Sequence, residues 1–488
     1  MTSEASTRPA VEESETGPPA PHGAPARGAL AVVLVGTFIS VLDFFIANVS
    51  VPAIQADLHA GSAQVQLVVA GYGVAFTAGL ITGGRLGDLY GRRRMYVLGM
   101  TLFMLASAWC AMAQNVDVLI VARIAQGASA ALMVPQVLGI IGTMYTGAAR
   151  DRAFTVYGLV IGLAGVFGQF IGGALITADV AGLSWRTIFL INVPLCLVCL
   201  AVARRSVPES RGADGGTRLD LTGALLITAA LGLIVYALVE GQSHDWPVWV
   251  WACLALAAVL LALTVLHLRR RAAAGRGPLI EPSLFRVRTF SVGLVATVLY
   301  FLAMGSFFFV LALYLQTGRS LSPLESGLVF LAVGVGYFGS SIVSARFAAK
   351  VTARTVAAGP LTLAVGYAVT AWTATGLGTT GSVLWLLPPL LLAGLGMGLT
   401  TGPLTNLVLG AAVPEHAASA SGLLNTAQEG GAAVGVAIAG TVFFPALADA
   451  GSADSYPHAF AVTLIPLIAF CVAASATVLL APGRAARH

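Results

Sequence analysis

Three ionisable side chains sit where this chain is otherwise apolar, and each carries a chemistry. Asp43 lies fourteen residues into an uncharged run that begins at Ala29. At ~1.5 Å per residue it is ~21 Å from the inner edge of a ~30 Å hydrocarbon layer. Ser40, Asp43, Ala47 and Ser50 fall on one helical face, a small polar stripe suited to a bundle interior. Arg123 stands six residues into another run, ~9 Å from the opposite edge and so at the depth of Asp43. Arg123, Gln126, Gly127 and Ala130 share a face. Burial and a neighbouring guanidinium pull a carboxyl's proton affinity in opposite directions. Such a pair can exchange a proton near neutral pH; a static ion pair fastening two helices is the competing reading. Glu429 is twelve residues into a later run, ~18 Å deep, with Asn425 one turn earlier on its face. A carboxylate there suits a cationic substrate or a second proton site, against a plain hydrogen bond within a glycine-rich helix pair. Asp43, Arg123 and Glu429 are therefore the candidate proton-coupling residues. Asn48, Gln126, Gln169, Asn425 and Gln428 are the amides expected to line a substrate cavity.

The elements that must hold these groups follow from composition. The 488 residues are 57% hydrophobic and 10% charged, where a soluble chain carries about 25% charged residues. Apolar runs of about 20 residues recur along nearly the whole chain, as spanning helices require. Backbone groups in lipid must pair within the chain, and the absence of short alternating segments excludes an outer-membrane barrel. The expectation is an all-α polytopic membrane protein with fourteen spans. The least regular are those at 352–375 and 382–411, interrupted by Gly359-Pro360, Pro388-Pro389 and Gly402-Pro403. All but one of the 26 basic residues are arginine. With the N-terminus in the cytoplasm, all but Arg123, Arg186 and Arg319 fall on that side, which predicts both termini inside. The net charge of +5 thus reads as topology and not as a nucleic-acid surface. Trp246, Trp249 and Trp251 mark an interfacial belt, and Phe301, Phe307, Phe308, Phe309 and Tyr314 are expected to face lipid for the most part.

Two basic loops bracket a pair of spans, so the chain divides six, two, six. The expected parts are a disordered tail at 1–27, a six-helix bundle at 28–204, two additional spans at 205–288, a second bundle at 289–480 and a tail at 481–488. Internal halves of this kind suit a transporter.

Between spans 2 and 3 runs Gly84-Arg85-Leu86-Gly87-Asp88-Leu89-Tyr90-Gly91-Arg92-Arg93-Arg94. The glycines permit a tight turn, and Asp88 can cap a helix or pair with an arginine. Gly84, Asp88, Gly91, Arg92 and Arg93 are the candidate gating loop, with a plain positive turn as the alternative. In span 5, Gly158, Gly162, Gly165, Gln169 and Gly172 recur at spacings 4, 3, 4 and 3, a small-residue seam for close helix packing.

These segments carry a family resemblance. The loop resembles the signature loop of the major facilitator superfamily, with Leu89 where a basic residue is usual. Leu42-Asp43 through Asn48-Val49-Ser50-Val51-Pro52, Arg123-Ile124-Ala125-Gln126-Gly127, Trp185-Arg186 through Phe189-Leu190-Ile191-Asn192-Val193-Pro194, and Ser421-Gly422-Leu423-Leu424-Asn425-Thr426 are similar to its fourteen-span drug:proton antiporter branch. The span-5 stripe resembles that branch's antiporter signature, but Gln169 replaces a proline, which predicts a span without the usual kink. The resemblance covers about residues 29–480. It implies a fold of two six-helix bundles plus two inserted spans, and export of drugs, antibiotics or lipophilic metabolites against protons by alternating access.

The expected partners are a small lipophilic substrate, protons and the bilayer of the cytoplasmic membrane. No nucleic acid and no obligate protein partner is expected. No cofactor is expected, because the single lysine, Lys350, lacks the glycine pattern of a phosphate loop. No metal is expected, because the seven histidines sit in tails, loops or span ends without ligand spacing. A dedicated exporter of one endogenous metabolite is the alternative within transport. A membrane enzyme or sensor is the alternative outside it, and no clustered catalytic set supports that.

Overall fold

The computed structural model describes residues 28–145, 147–211, 220–274, 282–346, 352–411, 417–448 and 455–480. The tails at 1–27 and 481–488 lie outside the described residues. The first six helices are α1 (Ala29–Leu58), α2 (Ser62–Tyr90), α3 (Arg92–Ala111), α4 (Val116–Met144), α5 (Gly147–Ala178) and α6 (Ser184–Ser206). Next come α7 (Leu221–Ser243) and α8 (Val248–Ala273). The last six are α9 (Arg288–Leu313), α10 (Pro323–Arg346), α11 (Ala353–Leu377), α12 (Leu387–Leu409), α13 (Ala417–Ala448) and α14 (Ser455–Leu479). All fourteen are long and apolar enough to span a bilayer, counting bent α5 as one.

The two irregular spans are helical for identifiable reasons. Pro388 and Pro389 open α12, in a first turn that has no intrahelical use for their missing N–H groups. Pro360 lies inside α11, where Gly359 approaches α12 so closely that a Cβ would stand 2.5 Å from the Thr400 hydroxyl.

Within the first bundle α4 packs on α2 and α3, and α1 on α5; within the second, α10 and α11 pack on α12, and α9 on α13 and α14. The inserted pair packs on itself, and α7 also lies against α2 and α13. Asp220 fastens that pair. It caps α7 through the Gly223 N–H (3.0 Å), accepts from His267 (2.7 Å) and faces Arg271 (3.6 Å) on α8. Burial pushes its proton affinity up, but those bonds and the Arg271 charge outweigh it and hold the carboxyl below its usual range.

The halves meet along α5/α10, α1/α10, α1/α9 and α2/α13. Gly173 of α5 comes so near α10 that a Cβ would stand 2.2 Å from the Pro323 carbonyl, and one on Gly327 would stand 2.8 Å from Phe170. The Gln316 amide donates to the Val49 carbonyl (2.8 Å), and the Leu324 N–H donates to Thr177 (3.3 Å). Gln316 belongs to a π-helical turn, Tyr314–Gly318, that extends α9. Phe45 of α1 meets Phe308 of α9 edge-on at 5.0 Å, and Phe308 stacks on Phe330 of α10 at 5.7 Å. These ties lie in the middle and at the end remote from Ala29 and Leu479. Toward the terminal end, Gly158 on α5 and Gly339 on α10 have nothing within 4 Å of a would-be Cβ. The hydrogen-bonded and close-packed ties between the halves thus lie in the middle and at the remote end, and exposed Gly158 and Gly339 make no such tie.

The aromatic cluster of α9 differs from expectation. Phe307, Phe309 and Tyr314 are fully buried, and Phe308 is nearly so. They face Tyr367, Phe330 and Phe460 instead of lipid, because α9 sits at the centre of its bundle and at the seam between halves.

Candidate functional site

Asp43, Arg123 and Gln126, brought from α1 and α4, form one fully buried cluster. The Arg123 guanidinium donates to Asp43 Oδ2, to the Gln126 carbonyl oxygen (2.7 Å) and, through Nε, to the Val68 carbonyl (3.1 Å). Its remaining face lies over the ring of Tyr72, 4.4 Å from the centroid, with Phe189 at 5.6 Å. Gln126 Nε2 donates to Asp43 Oδ1 (2.7 Å) and to Ser107 (2.8 Å). Asn192 Nδ2 donates to the same Asp43 Oδ1 (2.9 Å) and to Ser107 (3.3 Å). The Cys110 thiol donates to the Gln126 oxygen (3.6 Å). A buried carboxylate with three donors is far better satisfied than an isolated one.

Asn192 and Ser107 were missed as site residues. The available signal was a polar side chain inside an apolar run, Ile191-Asn192-Val193 on α6 and Ala106-Ser107-Ala108 on α3. The position of Asn192 is set at the start of α6, the end remote from the chain termini. There Trp185 and Arg186 both donate to Asp57 at the end of α1 (3.0 and 2.6 Å), and Arg186 reaches the Ala113 carbonyl (3.2 Å).

Three amides expected to line the cavity do not line it in this conformation. Gln126 is enclosed in the cluster just described. Asn48 is buried with its amide donated to the Phe44 carbonyl (3.2 Å), because α10 and the Gln316 turn cover that end of α1. Gln169 is fully buried at the α5/α10 contact with neither end of its amide hydrogen-bonded. The other two, Asn425 and Gln428, are part-exposed on α13 beside part-exposed Glu429. Gln428 donates to Thr405 of α12 (3.4 Å). Among the described residues Glu429 has no hydrogen bond or ion pair. Tyr72 of α2 and Tyr157 of α5 are within its electrostatic reach, which places it between the halves. The structure thus brings Asp43 and Arg123 together and leaves Glu429 apart, part-exposed on α13.

The span-5 stripe divides. Gly165 and Gly172 receive Phe45, Ile46 and Val49 of α1, whereas Gly162 receives Tyr337 and Phe338 of α10. Gly158 is exposed, with open space beside it, and is not part of the seam. The helix is bent by 43° between Val156–Gly165 and Phe167–Ala178, even with Gln169 in place of proline. The glycines on both faces allow α5 to follow two neighbours at once, so the expectation of an unkinked span is corrected.

In the loop, Arg92 donates twice to Asp88 (2.8 and 3.1 Å) and to the Gly139 carbonyl of α4 (3.1 Å). Gly84 passes Pro135, 3.6 Å from a would-be Cβ. Gly91 has φ +109°, in the region that favours glycine, and a Cβ would stand 2.6 Å from Glu209. Glu209, also missed, accepts from the Arg93 N–H (3.0 Å) and pairs with the Arg93 and Arg94 guanidinium groups. The loop is thereby tied to the segment after α6.

The Major Facilitator Superfamily model matches residues 33–220 and 219–436. A probable actinorhodin transporter of Streptomyces coelicolor is 36% identical over 91% of this chain and 77% of its own length. A puromycin resistance protein of Streptomyces alboniger is 33% identical, covering 89% and 87%. Among solved structures, a bacterial homologue of the lysosomal transporter Spinster has a TM-score of 0.65 at 17% identity, covering 93% of this chain and 97% of that one. A peptide transporter bound to sulfate has a TM-score of 0.66 at 16% identity, covering 93% and 94%. These likenesses agree with a two-bundle helical fold and a polar cluster between its helices: the chain belongs to the major facilitator superfamily of membrane transporters.

Proposed function

We propose that this protein exports small lipophilic compounds in exchange for protons, by alternating access of a cavity between the two bundles. The observation that carries the reading is the buried Asp43–Arg123 pair. A carboxylate with no exposure, held by a guanidinium and two amides, is costly in a membrane and suits a reversible proton site. Residues 28–204 and 289–480 are the moving bundles, and 205–288 is the insert. Both termini lie in the cytoplasm, so the end where Gly158 and Gly339 stand exposed faces inward and the end tied through Gln316 and Thr177 faces outward. Glu429, with Asn425 and Gln428, contacts cargo on the inward side and favours cations. The loop at Gly84, Asp88, Gly91, Arg92 and Arg93 restrains the inner ends of α2, α3 and α4 and exchanges partners when the inner side closes.

The relatives named for antibiotic transport and resistance support a cargo of that kind. A dedicated exporter of one endogenous metabolite is the second reading, favoured by the actinorhodin relative. The test is efflux and susceptibility in a sensitive host, with and without a protonophore. Protection that disappears with the gradient supports proton-driven export; protection indifferent to it refutes coupling. A broad or single-compound profile separates the two readings.

A further inference from the structure

The cluster around Asp43 contains one buried acceptor that nothing uses. Asn192 Oδ1 has no hydrogen-bond partner, although Nδ2 of the same amide makes two bonds. Gln126 is different: its oxygen accepts from Arg123 and Cys110, and its nitrogen donates to Asp43 and Ser107. Gln126 cannot rotate without losing four bonds. Asn192 can exchange its ends, because the side of the amide away from Asp43 is unpartnered.

We propose that Asn192 is the proton-state partner of Asp43: its amide presents Nδ2 to the carboxylate and turns over to present Oδ1 to the carboxylic acid. The inference rests on Asp43 being the coupling group. When a proton arrives on Oδ1 of Asp43, that oxygen becomes an O–H donor. The nitrogens of Gln126 and Asn192 that now face it are donors and cannot receive it. After Asn192 turns over, its oxygen accepts from Asp43. Ser107, which in the present arrangement only accepts, can then donate its hydroxyl proton to the same oxygen. One unpartnered end of the Asn192 amide remains in either state, so turning it over does not raise the number of unmet groups. Protonation also cancels the charge that holds Arg123, which keeps its bonds to Gln126 and Val68 and its place over Tyr72.

The groups facing Asp43 allow no other acceptor of this kind. Tyr72 on α2 is engaged with Ser40 (3.0 Å), Cys110 on α3 donates to Gln126, and Arg123 on α4 has only donors. Cys196 on α6 and Glu429 on α13 complete the ionisable neighbours of this region.

The test separates two transport modes in proteoliposomes: ΔpH-driven uphill export, which needs a net proton step, and substrate counterflow, which does not. Asn192→Leu is expected to lower uphill export by roughly tenfold or more, the scale of an unmet buried donor, and to change its pH profile, while counterflow stays near wild type. Asn192→Thr, whose hydroxyl both donates and accepts, is expected to retain more uphill export than Asn192→Leu. If Asn192→Leu does not accumulate in the membrane, Asn192→Thr is compared with wild type for the same split between modes. Equal losses in both modes, or no change in either, would overturn the proposal. Asp43→Asn is run in parallel: full uphill export by that variant refutes Asp43 as the coupling group, whatever Asn192 does.

Discussion

Asp43 and Arg123, 80 residues apart in sequence, form an ion pair from which solvent is wholly absent. Removing one partner of such a pair strands the other, at about 3–5 kcal/mol. Arg123→Leu is therefore expected to reduce the folded amount of protein in the membrane. Asp43→Asn keeps the shape and the acceptor for Gln126 and Asn192 but leaves the Arg123 charge unpaired, so its level should fall too and transport is read per molecule. Its uphill export should be lost while counterflow persists, as measured by efflux against a gradient and by isotope exchange. Full uphill export would dismiss Asp43 as the carrier.

Glu429 offers a second, separable role. It is part-exposed on α13 with no ion pair among the described residues. Glu429→Gln is expected to weaken export of cationic compounds several-fold and to spare neutral ones of matched size. Efflux of matched pairs at equal protein level measures this. Equal losses for both would move Glu429 to general coupling or to structure.

In the loop between α2 and α3, two substitutions should part company. Asp88→Ala removes two bonds to Arg92, leaves the fold intact and should cut transport per molecule. Gly91→Ala forces a Cβ into a backbone with φ +109° and against Glu209. That change should cost stability, read as lower membrane levels and a lower thermal midpoint. A normal transport rate for Asp88→Ala would return this loop to a purely topological role.

The resting conformation can be checked by labelling in a background without the five native cysteines. Gly158→Cys should react with an impermeant thiol reagent from the side that bears the termini. Ser326→Cys, buried on α10 near the remote end, should stay protected. Reporter fusions in the 57–62 and 205–217 loops should report opposite sides of the membrane; the same side for both would sink the topology.

Much of the fold was legible because lipid leaves so few options. Span number and the depth match of Asp43 to Arg123 follow from apolar length and helical rise alone. What was not legible is which way a helix turns. Gln126 and Gln169 are polar residues in small-residue stripes, the usual sign of a cavity, yet one closes the Asp43 cluster and the other is trapped between α5 and α10. Helical spacing gives a face but not the neighbour it meets. The partner of Asn192 was not legible for the same reason: Ser107 lies 85 residues earlier, on a helix that no local pattern links to it. Arg186 and Arg319 broke the charge rule for a local reason. Each fastens a remote loop, Arg186 through Asp57 and Arg319 through the Gly378 and Gly381 carbonyls.

Phe308 touches Phe45 on one side and Phe330 on the other. A file of hydrogen-bonded water conducts protons, and aromatic rings offer it no polar atom. A contact of this kind between the halves would serve as a seal and as electrical insulation between the two faces of the membrane. A worn seal would do more than let cargo slip back. It would short-circuit the membrane, so trimming these rings should burden the host even when no compound is present to be exported.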